Sequence, residues 1–113
     1  LRFPLVLEID GILRGYLMGW LVVDQMHILN FATDPDFQRR GLGTLLLREA
    51  ARQGEKLGME EFTLEVRQSN LPALAFYKKH GFCETGVRPG YYVDNGEDAI
   101  IMACPLGPIL AQE

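Results

Sequence analysis

The pattern of apolar and polar positions divides the first third of the chain into three predicted strands. These are Arg2–Ile9, Leu13–Val23 and Met26–Thr33, in which β-branched, aromatic and other apolar residues dominate. The pair Asp10-Gly11 is a strong signal for a tight hairpin, so the first two strands are expected to pair antiparallel. The third strand is expected to stop at Asp34-Pro35, because proline removes a backbone donor and keeps its predecessor out of helical geometry.

The remaining chain predicts alternating helices and strands. A helical stripe of Leu42, Leu45, Leu46, Ala50 and Leu57 ends at a cap residue, Gly58. Residues 62–67 alternate between apolar and polar, which predicts a strand with Glu65 on its polar face. Ser69-Asn70 predicts the cap of a second helix, which ends before Gly81.

Two further strands, Cys83–Val87 and Ala99–Cys104, complete the pattern. They are separated by a turn-rich stretch that contains Arg88-Pro89-Gly90 and Asp94-Asn95-Gly96. The tail from Pro105 is expected to be loose. The order of three strands, helix, strand, helix and two strands predicts an α/β fold with a sheet of mixed direction.

Composition and charge narrow the class of protein. The 113 residues, 48% hydrophobic and 23% charged, predict one globular domain. A net charge of -4 argues against a nucleic-acid partner and suits a basic peptide better. The cysteines Cys83 and Cys104, without a signal-peptide-like start or a membrane-length apolar run, predict a reduced, cytoplasmic protein without a membrane partner. The only close His/Cys pair is His80 and Cys83, so no metal is expected.

The segment Asp34–Thr44 is the most informative part of the chain, because it joins a predicted strand to a predicted helix through Gly41 and Gly43. Glycines allow a tight turn with bare N–H groups, and the helix dipole adds positive potential, which suits a pyrophosphate. Neither a dinucleotide fingerprint nor a Walker loop fits, since leucine replaces the third glycine and no Gly-Lys pair exists. A turn that serves packing alone remains the alternative.

The motif Gln38-x-x-Gly41-x-Gly43 is similar to the acetyl-coenzyme A signature of the GCN5-related N-acetyltransferases (GNAT). Further segments resemble the RimI-type ribosomal-protein alanine N-acetyltransferases of that family, in order from about residue 26 to about residue 106. They are Leu64–Asn70, Ala75–Phe82, Tyr91-Tyr92 and Glu97–Met102. The resemblance implies the GNAT fold, a mixed, mostly antiparallel sheet flanked by helices. The chain is expected to lack that fold's N-terminal strand and helices, with residues 1–106 forming the domain and residues 107–113 a C-terminal tail.

The resemblance also implies acetyl-CoA as co-substrate and assigns residues to it. The backbone of Phe31, Ala32 and Thr33 is expected to pair with pantetheine by strand addition, and Asn70 to contact the cofactor, although a helix-capping role is its ordinary alternative. The loop residues expected at the pyrophosphate are Gln38, Arg39, Arg40, Gly41, Leu42, Gly43 and Thr44.

Acetyl transfer to an amine requires a base for the amine and a proton for the departing thiolate. By resemblance, Glu65 is the predicted base and Tyr77 the predicted acid, and the seven-residue spacing puts Asn70 and Tyr77 on one helix face. A Glu65–Arg67 ion pair and a core-edge tyrosine are the structural alternatives. A loop over the acceptor peptide is expected to contain Arg88, Tyr91, Tyr92, Glu97 and Asp98.

The predicted function is acetylation of a protein N-terminus, with the N-terminal alanine of small-subunit ribosomal protein eighteen as the expected acceptor and a basic ribosomal peptide as partner. Two alternatives stay open: a transferase for lysine or small amines, and a module that binds acetyl-CoA without catalysis. The pattern does not decide the oligomeric state, although an exposed sheet edge favours dimerisation.

Overall fold

The computed structural model of the protein describes residues 1–37 and 41–112. In this part of the chain, six strands and three α-helices follow one another, with a 3-10 turn at Pro35–Phe37 after the third strand. The elements are β1 Arg2–Ile9, β2 Ile12–Val22, β3 Gln25–Thr33, α1 Leu42–Lys56, β4 Glu61–Arg67, α2 Leu71–Lys79, β5 Cys83–Tyr92, β6 Glu97–Pro105 and α3 Leu106–Leu110. None of the described helices is long and apolar enough to cross a membrane.

The strands form one sheet in the order β1-β2-β3-β4-β6-β5. Only β3 and β4 pair in parallel, and the other neighbours are antiparallel. This confirms the predicted mixed, mostly antiparallel sheet. The predicted hairpin is also present, because Asp10 and Gly11 both have positive φ, 53° and 77°, as a tight turn between twisted strands requires.

The sheet splits between β3 and β4. Their parallel ladder covers only Gln25 to Ile28, which pair with Glu61 to Leu64. Beyond it, β3 remains paired with β2 as far as Thr33, and β4 remains paired with β6 as far as Arg67. A register shift between Met18 and Gly19 lies opposite this point, and such a bulge bends a strand. The two strands therefore diverge, and their facing edges are left open.

The hydrophobic core lies on one face of the sheet, beneath the helices. Phe62, Met102 and Met26 from the strands are fully buried against Leu47 of α1 and Ile109 of α3. Along β4, side chains point alternately into the core and away from it, as predicted, so Thr63, Glu65 and Arg67 face the other side of the sheet. That other face also exposes apolar side chains of β1 and β2, namely Val6, Tyr16, Trp20 and Val22.

The expectation of a loose tail is wrong for the described residues after Pro105. Leu106 and Ile109 are 3% and 0% exposed and belong to the main core. The Leu106 N–H donates to the Glu60 carbonyl, and the side chain of Gln112 bonds to His80. Helix α3 has only five residues, so it offers too short a pattern to be recognised by periodicity, and its order comes from burial.

The expectation of a turn-rich stretch is wrong for residues 88–92, because β5 continues to Tyr92, and it is confirmed for Asp94-Asn95-Gly96, which lie in the turn before β6. Its ladder to β6 is interrupted between Arg88 and Tyr92. Gly90 lies in this irregularity with φ 61°, and its N–H donates to the Asp98 carboxylate at 2.8 Å. Proline and glycine therefore mark a bulge within the strand here, where the proline's missing N–H is tolerated.

Replacing Ile109 with alanine is expected to lower the free energy of unfolding by about 2–5 kcal/mol, because a fully buried side chain leaves a cavity. Urea denaturation would measure the loss. The matched control is Leu45→Ala on α1, where the side chain is 51% exposed and the expected change is about 0.5 kcal/mol or less. Equal losses in the two variants would show that α3 does not stabilise the core.

Candidate active site

Two adjoining cavities open at the split between β3 and β4. The first has a volume of about 350 Å³ and is lined by Phe31, Ala32, Thr33, Gly43, Pro72, Ala73, Phe76 and Tyr77. The second has about 290 Å³ and includes Glu65, Asn70 and Tyr92 in its wall. Phe31, Ala73 and Tyr77 line both cavities. The cavities therefore form one groove from the start of α1 to the open edge of β4.

The two predicted loop glycines have different physical roles. Gly41 precedes α1 with φ 73°, and a Cβ there would meet nothing within 4 Å, so its backbone conformation favours glycine. Gly43 is required for space, because a Cβ would lie 3.2 Å from two ring carbons of Phe76 and 3.9 Å from Phe31. The absence of this side chain lets α2 approach α1 and keeps the first cavity open.

The other predicted loop residues are only partly placed. Gln38, Arg39 and Arg40 lie outside the described residues. Leu42 is buried in the core, so only its backbone is available to a ligand. The Thr44 hydroxyl lies 3.1 Å from Nε2 of buried His80, whose Nδ1 lies 2.7 Å from Oε1 of Gln112. These bonds connect the first turn of α1 to the C-terminal segment.

The predicted pantetheine strand lies along the first cavity. Phe31, Ala32 and Thr33 all line it, and their backbone pairs with β2 on one side only. Asn70 lines the second cavity and also caps α2, because its Oδ1 accepts from the Ala73 N–H at 3.2 Å. Both roles that the sequence suggests for Asn70 are therefore compatible with its position.

Tyr77 lies at the meeting point of the two cavities. Its ring packs edge-on against Phe31 and Phe76, with centroids 6.3 and 5.4 Å away, and against Phe82 at 5.1 Å. Burial raises the pKa of the Tyr77 phenol to about 12, because ionisation would place a charge in an apolar environment. The hydroxyl therefore stays protonated and can donate a hydrogen at neutral pH.

Glu65 reaches the second cavity from the opposite face of the sheet. Its side chain is 13% exposed, with Oε2 3.2 Å from Nε2 of His27 and Oε1 3.7 Å from Nε of Arg88. The alternative pairing with Arg67 is not formed. Arg67 instead contacts Asp94 at 3.0 Å and Glu97 at 3.3 Å.

The predicted acceptor residues lie on the β5–β6 hairpin, on strands and not on a loop. Tyr92 lines the second cavity beneath the guanidinium of Arg67, which is 4.0 Å from the ring centroid. Tyr91 packs perpendicular to Tyr92 at 5.0 Å. Glu97 accepts from the Ser69 N–H at 2.7 Å, and hydrogen bonding to Ser69 lowers the pKa of its carboxyl. This hydrogen bond links the β5–β6 hairpin to the segment just before α2.

Sequence reasoning missed His27 and Arg67 as parts of this site. His27 and Glu65 are 38 positions apart in the sequence, so no local pattern connects them. The parallel register pairs His27 with Thr63, so His27 and Glu65 lie on the same face. Strand alternation alone would have found this contact once the β3–β4 pairing was known.

Comparison with known proteins identifies the family of the chain. Residues 2–82 match the model of the "Acetyltransferase (GNAT) family". The chain belongs to the GNAT family. Its mixed six-stranded sheet is the GNAT fold, since it superposes on the crystal structure of the ribosomal-protein-S18-alanine N-acetyltransferase from Escherichia coli with a TM-score of 0.83 and 40% identity. The match covers 93% of this chain and 69% of that one.

Curated GNAT relatives extend the comparison. A relative from Escherichia coli (strain K12), named ribosomal protein bS18-alanine N-acetyltransferase, is 42% identical over 99 residues, which are 86% of this chain and 67% of the relative. A relative from Bacillus subtilis (strain 168) is 45% identical over 98 residues, 87% of this chain. The chain spans 65% of the length of that relative.

Proposed function

We propose that this chain transfers the acetyl group of acetyl-CoA to the α-amine of a protein N-terminus, and that the acceptor is the N-terminal alanine of ribosomal protein bS18. One observation carries the proposal: the split in the sheet brings Glu65 from one face and Tyr77 from the other to a single cavity. The identity to bS18-alanine N-acetyltransferases supports the acceptor.

Acetyl-CoA would lie along the groove between α1 and α2. The open edge of β3 at Phe31–Thr33 supplies backbone groups for the amides of pantetheine. The first turn of α1, after Gly41 and at Gly43, supplies N–H groups and the positive end of the helix dipole for the pyrophosphate. Asn70 lies further along the same groove, near Tyr77.

Glu65 is the proposed general base. An α-amine has a pKa of about 7.7–8.0, so near neutral pH most of it is protonated and cannot attack. Glu65 accepts this proton, directly or through one water. The neutral nitrogen then forms the C–N bond to the acetyl carbon, and the C–S bond of the thioester breaks. The nitrogen loses its second proton to solvent as the amide forms, which balances the proton that Tyr77 gives to the sulfur and takes back from solvent.

Tyr77 is the proposed donor to the departing thiolate. Its raised pKa keeps the phenolic hydrogen in place until charge develops on sulfur. The same apolar surroundings disfavour a free thiolate, so a hydrogen bond from the phenol to the sulfur is favoured as the C–S bond breaks. The hydrogen bond from Tyr77 thus stabilises the leaving group and supplies its proton.

The acceptor peptide is proposed to lie against the β5–β6 hairpin. Tyr92 and Arg88 are placed near Glu65, where the α-amine must arrive. Glu97 and Asp98 hold the hairpin in shape through bonds to Ser69 and Gly90, and their charge attracts a basic peptide. The net charge of -4 acts in the same direction.

Mass spectrometry would test the function. The chain is incubated with acetyl-CoA and three peptides: one that begins Ala-Arg, one that begins Ser-Arg, and one with a blocked alanine and an internal lysine. Acetylation of the free alanine alone supports the proposal. Modification of the lysine would instead identify a lysine acetyltransferase. Binding of acetyl-CoA without any transfer would favour a binding module. Because the chain spans 65% of the length of the Bacillus subtilis relative, that relative is assayed in parallel.

Gly43 provides a test of the cofactor groove. Gly43→Ala puts a methyl group 3.2 Å from the Phe76 ring and narrows the first cavity. We expect the Kd for coenzyme A to rise by about tenfold, since overpacking typically costs about 1–3 kcal/mol. Calorimetric titration with coenzyme A would measure it.

The matched control is Gly41→Ala, because a side chain there meets no atom within 4 Å. Its positive φ makes alanine strained, so we expect a loss of folding stability of about 1 kcal/mol with a smaller change in Kd. Unchanged coenzyme A affinity in Gly43→Ala would contradict the assignment of this groove.

A further inference from the structure

We propose that His27 is a positioning residue for Glu65, and this inference rests on the proposed function. His27 lines neither cavity at the split, whereas Glu65 lines the second. Nε2 of His27 contacts Oε2 of Glu65 at 3.2 Å, and the other carboxylate oxygen is Oε1. His27 therefore acts on the reaction only through the orientation of Glu65.

The contact spans the point where the sheet divides. His27 pairs with Thr63 within the β3–β4 ladder, which ends one residue later at Ile28 and Leu64. Glu65 is the first residue of β4 beyond that ladder, and its backbone is paired only with Ile101 of β6. Beyond the end of the backbone ladder, the contact between the His27 side chain and the Glu65 carboxylate connects β3 to β4.

Two side chains contact the Glu65 carboxylate, and they hold it to different degrees. Nε2 of His27 lies 3.2 Å from Oε2, with a side chain that is 24% exposed. Arg88, the cation near the other oxygen, lies at 3.7 Å with a side chain that is 54% exposed, so it is the looser partner.

The neighbours of His27 are compatible with this role. Trp20 of β2 is its register partner on one side and Thr63 of β4 on the other, and both are uncharged. The nearest similar contact along the same strands joins Gln25 to Glu61, with Nε2 donating to Oε1 at 2.5 Å. That pair lines neither cavity and provides a matched control.

The experiment compares His27→Leu, His27→Gln and the control Gln25→Leu in steady-state N-terminal acetylation. His27→Leu is expected to lower kcat about tenfold without a change in the KM for acetyl-CoA, because the carboxylate loses the contact that orients it. His27→Gln keeps an N–H donor and should recover kcat to within about threefold of wild type. Gln25→Leu should leave kcat unchanged.

A double-mutant cycle identifies the partner. In a Glu65→Gln background, His27→Leu should have no further effect on kcat, because the oriented carboxylate is already absent. The proposal is overturned if His27→Leu keeps wild-type kcat, if His27→Gln is as impaired as His27→Leu, or if the loss persists in the Glu65→Gln background. Thermal denaturation of each variant separates misfolding from loss of positioning.

A spectroscopic measurement keeps the inference testable if no peptide is acetylated. The chain has only two histidines, so ¹⁵N imidazole signals can be assigned to His27 and His80. Glu65→Gln should shift the His27 signals and leave those of buried His80 unchanged. A shift without transfer activity would refute the proposed function but retain the contact, whereas unchanged His27 signals would refute the contact itself.

Discussion

Replacing Glu65 with glutamine is expected to lower kcat for N-terminal acetylation by about 10²- to 10⁴-fold. Glutamine keeps the size of the side chain and can still contact His27 and Arg88, but it cannot accept the proton of the acceptor ammonium. Binding of acetyl-CoA should be unchanged, since Glu65 does not line the first cavity. Discontinuous acetylation assays with an Ala-Arg peptide would measure kcat, and titration with coenzyme A in parallel would measure cofactor binding.

The pH dependence distinguishes loss of the base from a misplaced substrate. Above about pH 8 most of the acceptor amine is already neutral, so the defect of Glu65→Gln should become smaller as the pH rises. The control is Glu61→Gln on the same face of β4, which should keep wild-type kcat because Glu61 lines neither cavity. A Glu65→Gln enzyme with wild-type kcat at pH 7 would refute the proposed base.

The second large effect is expected at Tyr77. Tyr77→Phe should lower kcat by about 10²-fold, because the ring contacts with Phe31, Phe76 and Phe82 remain while the proposed donor to the thiolate is lost. The Kd for acetyl-CoA should stay within about threefold of wild type, since phenylalanine keeps the wall of both cavities. Single-turnover kinetics would separate the chemical step from product release.

The raised pKa of Tyr77, about 12, predicts two further properties. Ionisation of this phenol should not lower activity up to about pH 10, because the folded protein keeps it protonated there. The unfolded chain would lose that proton near pH 10, so Tyr77 stabilises the fold below pH 10 and this contribution falls between pH 10 and 12. The difference in melting temperature between wild type and Tyr77→Phe should change over that range.

Tyr16 is a suitable control for both measurements, since it lies on β2, is 41% exposed and lines neither cavity at the split. Tyr16→Phe should leave kcat and its pH dependence unchanged. If Tyr77→Phe is equally active, the proton of the thiol must come from elsewhere, and Tyr77 would be only part of the cavity wall. If Glu65→Gln with Tyr77→Phe binds acetyl-CoA but transfers nothing, a catalytic role for the pair is supported over a purely structural one.

Local sequence signals determined most of the elements and their order. Asp10-Gly11 specifies a tight hairpin, Asp34-Pro35 ends a strand, and Asn70 caps α2, because each acts through the backbone of its immediate neighbours. The alternation along β4 also placed Glu65 correctly on the face opposite the core. These features depend on contacts within a few residues, so they can be predicted from the order of residues alone.

Packing between distant elements decided the rest. Leu45 and Leu57 belong to the predicted apolar stripe of α1 yet are 51% and 55% exposed, while Leu47 is fully buried. The sequence determined that this stretch is a helix, but only contact with the sheet and α3 decided which side of it is buried. In the same way, the short tail became a core helix only because Ile109 finds an apolar partner surface.

The groove itself is a property of the tertiary structure. The sequence determined the residue types at Gly43, Glu65 and Tyr77, and the resemblance attached candidate roles to them. That Glu65 and Tyr77 share one cavity depends on the divergence of β3 from β4, and that His27 supports Glu65 depends on the register of the same pair. Strand pairing brings together residues far apart in the chain, and no local pattern specifies which ones meet.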